Sequence, residues 1–344
     1  MSPKTNPMHK LTALVTPFAV LLVYAMLTVQ PVHATFPGTN GQIVFTQGDF
    51  FNGIPASVVT ADPDGFNQQV VPLGDLVEFF SSPVWSPDGS KLLISHTLRI
   101  DPSTGQCCLP FRPAIVSPDG VGYTLLTIPD APFDMDCLAW SRDQRRLLCG
   151  FGGSQPGVFS IRASDGGDPV RLTTNPYAAT GGIDTPGDLS PDGRQFLFVR
   201  TKTKMNPNDP DPDSQPALFV ENADGTGLRQ LTASGKAKFG LPPIAHWSPD
   251  GKRIIGALGN GKMFTINPDG SKFSDVDLQV GAPYFAYFPT WSPDGKRIIF
   301  CIFINGGEGI SSANPDGSNI KQVTFSTDFS SIFHGTDWGT HPLQ

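Results

Sequence analysis

The chain has 344 residues, of which 24 are Lys or Arg and 31 are Asp or Glu, so its formal net charge is −7 at pH 7. This acidic balance gives no electrostatic support to nucleic-acid binding, because that role needs a basic surface to meet the phosphates. Glycine (37 residues) and proline (34) are abundant, while the hydrophobic content is an ordinary 39%. That combination indicates many tight turns between short strands and does not indicate disorder.

The first 34 residues have the pattern of a secretory signal peptide. Lys4 and Lys10 give a basic start, residues 11–29 are almost wholly apolar, and Val32-His33-Ala34 ends in a small-residue cleavage signal. An uncleaved membrane anchor is the alternative, because the apolar run is just long enough to span a bilayer. We expect the segment to be removed, leaving residues 35–344 as a secreted protein, periplasmic or extracellular, with no membrane span.

A short turn sequence recurs along the rest of the chain and organises it. Its clearest form is Trp-Ser-Pro-Asp-Gly followed by an apolar strand pattern, as at Trp291–Gly295. Proline suits the second position of a tight turn and glycine the left-handed position that follows, so the motif predicts strand, turn, strand. All five tryptophans lie at this repeat position. The other copies, some of them degenerate, begin at Trp85, Trp140, Leu189 and Trp247, with a truncated copy at Asp337-Trp338-Gly339.

A second turn, ending in Asp-Gly, alternates with the first. Its glycines are spaced 55, 46, 59, 45 and 47 residues apart, and an aliphatic residue follows each glycine after six positions. Asp-Gly between apolar runs is a hairpin signal. Two hairpins make a unit of four strands, A to D, joined by an A–B turn, a B–C connection and a C–D turn. The six glycines are Gly65, Gly120, Gly166, Gly225, Gly270 and Gly317.

Units of this length predict an all-β fold, a six-bladed β-propeller of four-stranded blades. The first unit has its second strand at Gln42–Phe45 but no tryptophan strand before it, and the last unit is followed by a lone strand that ends at Trp338. We therefore expect the first blade to be closed by the C-terminal strand, which removes an open blade edge.

The repeat resembles that of the TolB-type six-bladed propellers, whose units carry a W-S-P-D-G turn followed by N-x-D-G and L-T elements. The resemblance covers Phe36 to His341. It implies an exported propeller that binds protein partners. The α/β domain that precedes the propeller in TolB proper is not expected here, because only a residue or two separates the signal from the first blade. The G-x-S-x-G elbow of hydrolases with related propellers does not occur in the sequence.

The five cysteines permit one local disulfide. Cys137 and Cys149 flank the Trp140 turn at matching distances, so a disulfide across two strands and a pair of buried thiols both fit the sequence. The pairing of the adjacent Cys107 and Cys108, and of Cys301, cannot be read from the sequence. An odd count leaves at least one free thiol in a monomer.

The two faces of the predicted propeller differ in character. Because strands alternate in direction, the A–B and C–D turns share one face, here called the turn face, and the B–C and D–A connections share the other, here called the loop face. Long, variable and aromatic-rich connections lie on the loop face, as is typical of binding loops on a rigid scaffold. Packing between blades is the alternative role for these aromatics. The candidate partner-binding residues are Phe133, Tyr177, Phe239, Tyr284, Phe285, Tyr287, Phe329 and Phe333.

Polar residues precede the tryptophan position in three units. Asp188, His246 and Asp337, together with His334, are candidates to line the central channel and to hold a cation or small ligand. Hydrogen bonding to loop backbone is the alternative role, since buried polar groups need partners.

The fourth unit carries a long B–C insertion with Asp209, Asp211 and Asp213 at alternate positions. Calcium loops use this spacing, but they also need a glycine at the sixth position and a bidentate glutamate at the twelfth, and both are missing. A solvated, proline-stiffened loop is the preferred interpretation, and these aspartates are only weak candidates for metal ligands.

The sequence therefore predicts an exported, non-catalytic binding module without a cofactor. We expect a monomer whose partner, a protein or cell-envelope component, binds through the loop face. The alternative is a propeller hydrolase or lyase that acts on a lactone or sugar acid with a metal in the central channel. An enzyme requires three or more ionisable side chains that converge at the channel mouth.

Overall fold

The computed structural model describes residues 38–49, 54–73, 79–97, 112–128, 135–151, 156–202, 216–233, 245–258, 260–327 and 332–340. These ranges contain 24 strands and one 3-10 helix, Ala178–Thr180. The strands form six antiparallel four-stranded sheets, so the predicted all-β six-bladed propeller is confirmed. The predicted signal peptide lies outside the described residues, and no helix within them is long and apolar enough to cross a membrane.

The strands follow the predicted order within each blade. Blade 1 contains β1 (Ile43–Asp49), β2 (Ile54–Ala61), β3 (Gln69–Val70) and the C-terminal β24 (Ile332–Trp338). Blade 2 contains β4 (Phe79–Trp85), β5 (Leu92–Thr97), β6 (Arg112–Val116) and β7 (Thr124–Leu125). Blade 3 contains β8 (Met135–Trp140), β9 (Arg146–Phe151), β10 (Gly157–Arg162) and β11 (Val170–Arg171).

The remaining blades have the same arrangement. Blade 4 contains β12 (Asp184–Leu189), β13 (Gln195–Arg200), β14 (Ala217–Asn222) and β15 (Arg229–Gln230). Blade 5 contains β16 (Ala245–Trp247), β17 (Ile254–Ala257), β18 (Met263–Ile266) and β19 (Ser274–Val276). Blade 6 contains β20 (Tyr284–Trp291), β21 (Ile298–Ile304), β22 (Gly307–Ala313) and β23 (Lys321–Ser326).

Closure of the ring through the first blade is confirmed. β24 pairs antiparallel with β1, with Trp338 opposite Ile43 and Asp337 opposite Val44. Trp338 Nε1 donates a hydrogen bond to Gly41 O at 3.1 Å. The inner strand of blade 1 therefore comes from the C-terminal end of the described chain, and its other three strands come from the N-terminal end.

Both repeated turns adopt the conformation that their glycines predict. Gly251 and Gly295, in A–B turns, each have a φ of +67°. The C–D glycines have a second role, because most of them pack against the backbone of the preceding blade. A Cβ atom on Gly317 in blade 6 would overlap with the carbonyl group of Asp277 in blade 5. The repeated Asp-Gly therefore also permits the close spacing of neighbouring blades.

The core consists of apolar layers between adjacent blades. Val199 of blade 4, for example, belongs to one cluster with Trp247 and Ile254 of blade 5. Cys137 and Cys149 are joined in a disulfide between β8 and β9, which decides between the two arrangements that the sequence left open. Cys301 is a buried free thiol. Cys107 and Cys108 lie outside the described residues.

Candidate functional site

The central channel is lined by the residue that precedes each tryptophan position. A β-bulge shifts the register of β4, β8, β12, β20 and β24 at or just before this residue, and such bulges re-aim side chains. The cavity has a volume of about 40 Å³, which is room for about three water molecules. Its lining includes Val84, Ala139, Asp188, His246, Thr290 and Asp337.

Two carboxylates in this ring join neighbouring blades. Asp188 Oδ2 in blade 4 accepts a hydrogen bond from the backbone N–H of Trp247 in blade 5 at 3.0 Å. Asp337 Oδ2 in blade 1 accepts one from the N–H of Trp85 in blade 2 at 2.8 Å. These carboxylates therefore bond backbone, as the alternative from the sequence had it, but the backbone belongs to strands and not to loops. Each one satisfies a strand N–H across a seam between blades.

Protonation of Asp337 depends on its burial and on the groups around it. Burial in the channel raises the pKa of Asp337 to about 6, with a further increase from the Asp188 charge. The Trp85 N–H and the nearby His246 act in the opposite direction. His246 Nδ1 lies 3.6 Å from Asp188 Oδ2, so the two form an ion pair only when the imidazole is protonated. Asp337 is therefore a channel carboxyl whose pKa is raised from its ordinary value.

The side chains of the other metal candidates are not among those that the structure describes. His334 lies on β24 opposite Thr46, and its side chain is not among the described ones. Asp209, Asp211 and Asp213 lie in a segment outside the described residues. Across the ranges that the structure describes, no group of three or more His, Cys, Asp or Glu side chains is placed to hold a metal ion.

Tyr177 is the most accessible of the described candidates on the loop face. It lies in the D–A connection before blade 4, and 39% of its surface is exposed. The Lys202 ammonium lies 5.9 Å from the centre of its ring. Asn175 fixes the connection by donating to Thr201 O at 3.1 Å and accepting from the Tyr177 N–H at 2.8 Å. Thr180 Oγ1 donates to Lys202 O at 2.7 Å. The tyrosine is therefore presented on a segment whose backbone is held in place.

The aromatic cluster of blade 6 is placed differently from the sequence prediction. Tyr284, Phe285 and Tyr287 were expected in a D–A loop, but they lie within β20, the inner strand of the blade. The strand begins this early because its partner β21 is long enough to pair with it, up to Ile304 opposite Tyr284. All three side chains are half-buried. They face the loop end of the blade while contributing to its packing.

Packing contacts limit how far this cluster is available to a partner. The Tyr284 hydroxyl accepts a hydrogen bond from the Leu278 N–H at 3.3 Å, and the Lys262 ammonium lies 4.1 Å from its ring centre. The rings of Phe285 and Tyr287 are 5.9 Å apart, and Tyr287 packs against the core cluster shared with blade 1. Phe133, Phe239 and Phe329 lie outside the described residues, and Phe333 is on β24 with its side chain undescribed.

A buried ion pair between β12 and β13 of blade 4 was not anticipated from the sequence. Arg200 donates through Nε and Nη2 to the two oxygens of Asp184, both at 2.8 Å, and both side chains are almost fully buried. The guanidinium carbon lies 5.1 Å from the ring of Phe198. The pair ties the start of β12 to the end of β13 at the loop face. The sequence did contain a signal for this pair, because Arg200 is a charged residue at the end of an apolar strand pattern.

Comparison with solved structures identifies the fold. The chain is similar to a putative TolB from Agrobacterium tumefaciens, with a TM-score of 0.58 and 16% identity over 86% of this chain and 98% of the other. It is similar to TolB from Acinetobacter baumannii, with a TM-score of 0.64 and 16% identity over 94% of this chain and 70% of the other.

A chain of a nidogen/laminin complex has a TM-score of 0.60 and 12% identity, over 88% of this chain and 100% of the other. No protein-family model and no curated protein matches the sequence. The chain thus has the TolB-like six-bladed propeller fold, and at this level of identity the likeness concerns the fold alone.

Proposed function

We propose that this TolB-like propeller is an exported, non-catalytic binding module whose partner, a protein or cell-envelope component, docks on the loop face. The observation that carries the proposal is a pairing of tyrosine rings with lysines on that face, Tyr177 with Lys202 and Tyr284 with Lys262. Tyrosine supplies a large contact area at low entropic cost, and it is enriched among residues that dominate binding energy.

The construction of the Tyr177 segment favours binding. Hydrogen bonds hold the backbone that carries the ring, and the Asp184–Arg200 pair joins the neighbouring strands β12 and β13, before a partner arrives. Such preorganisation lowers the entropy cost of association. The neighbouring lysines place positive charge at the contact in an otherwise acidic chain, which suits a partner that carries carboxylates at matching positions.

The use of the channel carboxylates supports a non-catalytic role. Asp188, His246 and Asp337 line the channel together, which reaches the number of ionisable side chains that an enzyme requires. Both carboxylates, however, accept a backbone N–H of the next blade, so they contribute to the joining of blades. Export is supported by the Cys137–Cys149 disulfide, because such bonds persist in oxidising compartments. N-terminal sequencing of the exported protein tests this part, and we expect it to begin at residue 35.

The binding proposal is tested by capture from host envelope extract on the immobilised protein. We expect Tyr177→Ala to weaken capture of the specific partner at least about tenfold, which is about 1.4 kcal/mol. Lys91→Ala on the turn face is the control, because it removes an exposed side chain from the opposite face, and it should leave capture unchanged. Loss of capture in Lys91→Ala together with normal capture in Tyr177→Ala would contradict docking on the loop face.

A second variant tests the blade 6 aromatics. We expect Phe285→Ala combined with Tyr287→Ala to reduce capture by a similar factor. Because both rings are half-buried, the melting temperature of the double variant must be measured beside its binding. An unfolded double variant would show that these two aromatics serve packing. Docking on the loop face would then be tested by Tyr177→Ala.

A further inference from the structure

The A–B turns on the turn face share one hydrogen-bond pattern. In the five described copies that contain the full turn, the serine hydroxyl donates to the aspartate at 2.7 Å, as Ser248 does to Asp250. The same hydroxyl accepts the N–H of the residue six positions after the tryptophan position. In blades 2 to 6, in that order, this sixth position is occupied by Lys91, Arg146, Gln195, Arg253 and Arg297.

In three blades the side chain at this sixth position bonds within its own blade. Arg146 donates to Ser160 Oγ at 2.6 Å and to Asp168 Oδ2 at 2.7 Å. Arg297 donates to Ser312 Oγ at 3.0 Å and to Asn319 O at 3.1 Å. Gln195 donates to Asn222 Oδ1 at 3.0 Å. These side chains fasten the second strand to the third strand or to the C–D turn.

Arg253 in blade 5 departs from this pattern. Its side chain has no hydrogen bond or ion pair with any residue that the structure describes, and its guanidinium carbon lies 4.7 Å from the ring centre of Trp291 in blade 6. One difference from blade 3 lies two positions after the C–D glycine, where the Asp168 carboxylate accepts a hydrogen bond from Arg146. Blade 5 has Lys272 there, a cation that repels a guanidinium. Arg253 is therefore directed toward the next blade.

Arg253 lines a cavity between the A–B turns of blades 5 and 6. The cavity has a volume of about 230 Å³, and Pro249 and Pro293 form part of its wall. A guanidinium stacked on an aromatic ring keeps its N–H donors in its own plane, where a carboxylate can accept two of them. The cavity is smaller than the range of about 300–1,000 Å³ that is usual for ligand pockets, so it suits a ligand of few heavy atoms.

Two aspartates stand at the same cavity and add acceptors to it. Asp250 and Asp294 both line it. Asp250 Oδ2 accepts no hydrogen bond from a described residue, and its nearest cation is the Lys252 ammonium at 3.8 Å. Although burial alone would raise the pKa of Asp294, hydrogen bonds from Ser292 and the Lys296 N–H hold it below its ordinary value. The cavity thus combines one cation with unused donors and carboxylates that can accept N–H groups.

We propose that this cavity binds a small ligand in which a carboxylate lies next to an N–H donor. That chemistry is shared by a free amino acid and by the C-terminal residue of a peptide. The carboxylate binds the Arg253 guanidinium, and the N–H group donates to Asp250 or Asp294. This site is on the opposite face from the proposed partner surface. An experiment can therefore contradict the ligand site without contradicting partner docking, and the reverse.

The ligand chemistry is tested with three probes on the full chain by isothermal titration or saturation-transfer NMR. We expect N-acetylglycine, which has both groups, to bind at least about tenfold tighter than N-acetylglycinamide, which lacks the carboxylate. Glycine distinguishes the sources, because binding of glycine indicates a free amino acid and binding of N-acetylglycine alone indicates a peptide end. Absence of binding by both acids, or equal binding of the amide, would overturn the proposal.

The residue assignment is tested with Arg253→Met, which keeps an aliphatic stem over Trp291 and removes the guanidinium. We expect at least about a tenfold loss of affinity. Lys91→Met is the matched control, because it removes a positive charge from the same repeat position of blade 2, and it should bind normally. Unchanged binding in Arg253→Met, or equal losses in both variants, would count against the site.

A third variant leaves the cavity lining intact and covers the case in which Arg253→Met does not fold. Lys272→Asp supplies the acceptor that Asp168 gives to Arg146 in blade 3, and aspartate already occupies the same backbone conformation there. We expect Arg253 to bond within its own blade and the affinity for the probe to fall severalfold. An affinity equal to that of the wild type would overturn the assignment of Arg253 as the carboxylate ligand.

Discussion

The two faces of this propeller are built from one repeat and yet differ sharply in regularity. On the turn face, the A–B turns repeat the same serine–aspartate hydrogen bond from blade 2 to blade 6. On the loop face, the described connections range from the two-residue turn Asn305–Gly306 in blade 6 to the pinned segment around Tyr177. The regular face specifies how blades pack, and the irregular face is free to differ from blade to blade.

This difference teaches where to look for function in a repeat protein. A side chain that follows the repeat has the same structural explanation in each copy, as the serine of the A–B turn does in blades 2 to 6. A departure from the repeat needs its own explanation, and Arg253, which lies over Trp291 of the next blade, is such a departure on the turn face. Tyr177 lies where no repeat constrains the sequence. The variants below test whether the repeated features of the fold determine its stability.

The largest expected effect is removal of β24. Deleting residues 332–344 takes away the inner strand of blade 1, including Trp338, and leaves β1 as an open edge. We expect aggregation or a loss comparable to the whole of the roughly 5–15 kcal/mol that stabilises a typical domain. Size-exclusion chromatography and thermal unfolding measure it. The control deletes residues 341–344 alone, and a monomeric 332–344 deletion with an unchanged melting curve would contradict closure through blade 1.

A smaller effect distinguishes two glycines at the same repeat position. Gly317 has a φ of +89° and packs against the Asp277 backbone, whereas Gly225 has a φ of +80° and open space around it. We expect Gly225→Ala to cost about 1 kcal/mol from backbone strain. Gly317→Ala should cost about 3 kcal/mol, because overlap with the neighbouring blade is added. Urea unfolding measures both, and equal losses would show that the close approach between blades does not matter.

The Asp337 carboxyl predicts a pH dependence of stability. Its pKa is raised to about 6 in the fold, so the folded state binds the proton more tightly than the unfolded state does. The ionised form is therefore a destabilising group above pH 6, and this cost is relieved as the pH falls through 6 towards 4. In Asp337→Asn, the amide oxygen still accepts the Trp85 N–H but cannot titrate. Relative to this variant, the wild type should gain about 1 kcal/mol between pH 7 and pH 5.

Urea unfolding of both proteins across that pH range measures the difference. Parallel stability curves for the wild type and the asparagine variant would mean that Asp337 does not hold a raised pKa. A wild type that loses stability relative to the variant on acidification would reverse the sign and contradict the buried environment assigned to it.

The smallest effect is expected from divalent metal. Because Asp188 and Asp337 already accept backbone N–H groups, we expect millimolar Mn²⁺ to leave the melting temperature unchanged. A metal bound at a hundred times its dissociation constant would stabilise the fold by about 2.7 kcal/mol and raise the melting temperature. Such a rise, if lost in Asp188→Asn, would favour the enzyme alternative with a metal in the channel.

Much of the architecture could be predicted because its determinants are local. The Pro-Asp-Gly turns specify hairpins within a few residues, and their repetition set the number of blades and the closing strand. The channel position before each tryptophan followed from the same alignment of repeats, so Asp188, His246 and Asp337 were placed together in advance.

Contacts across seams between blades could not be predicted in this way. Asp188 bonds a backbone group 59 positions away and Asp337 one 252 positions away, and no periodicity encodes such partners. The early start of β20 depends on the length of its neighbour β21, which moved Tyr284 from a loop into a strand. The different placement of the Arg253 side chain was readable in principle, because Lys272 stands where the Asp168 carboxylate accepts from Arg146 in blade 3.

The central claim, that the loop face is the docking surface, is tested most directly by photo-cross-linking. A photoreactive amino acid replaces Tyr177 on the loop face or Lys91 on the turn face, and each protein is irradiated in host envelope extract. We predict a discrete adduct from position 177, competed by unlabelled wild type, and none from position 91. A competed adduct from position 91 with none from position 177 would contradict the claim and place the partner on the regular face.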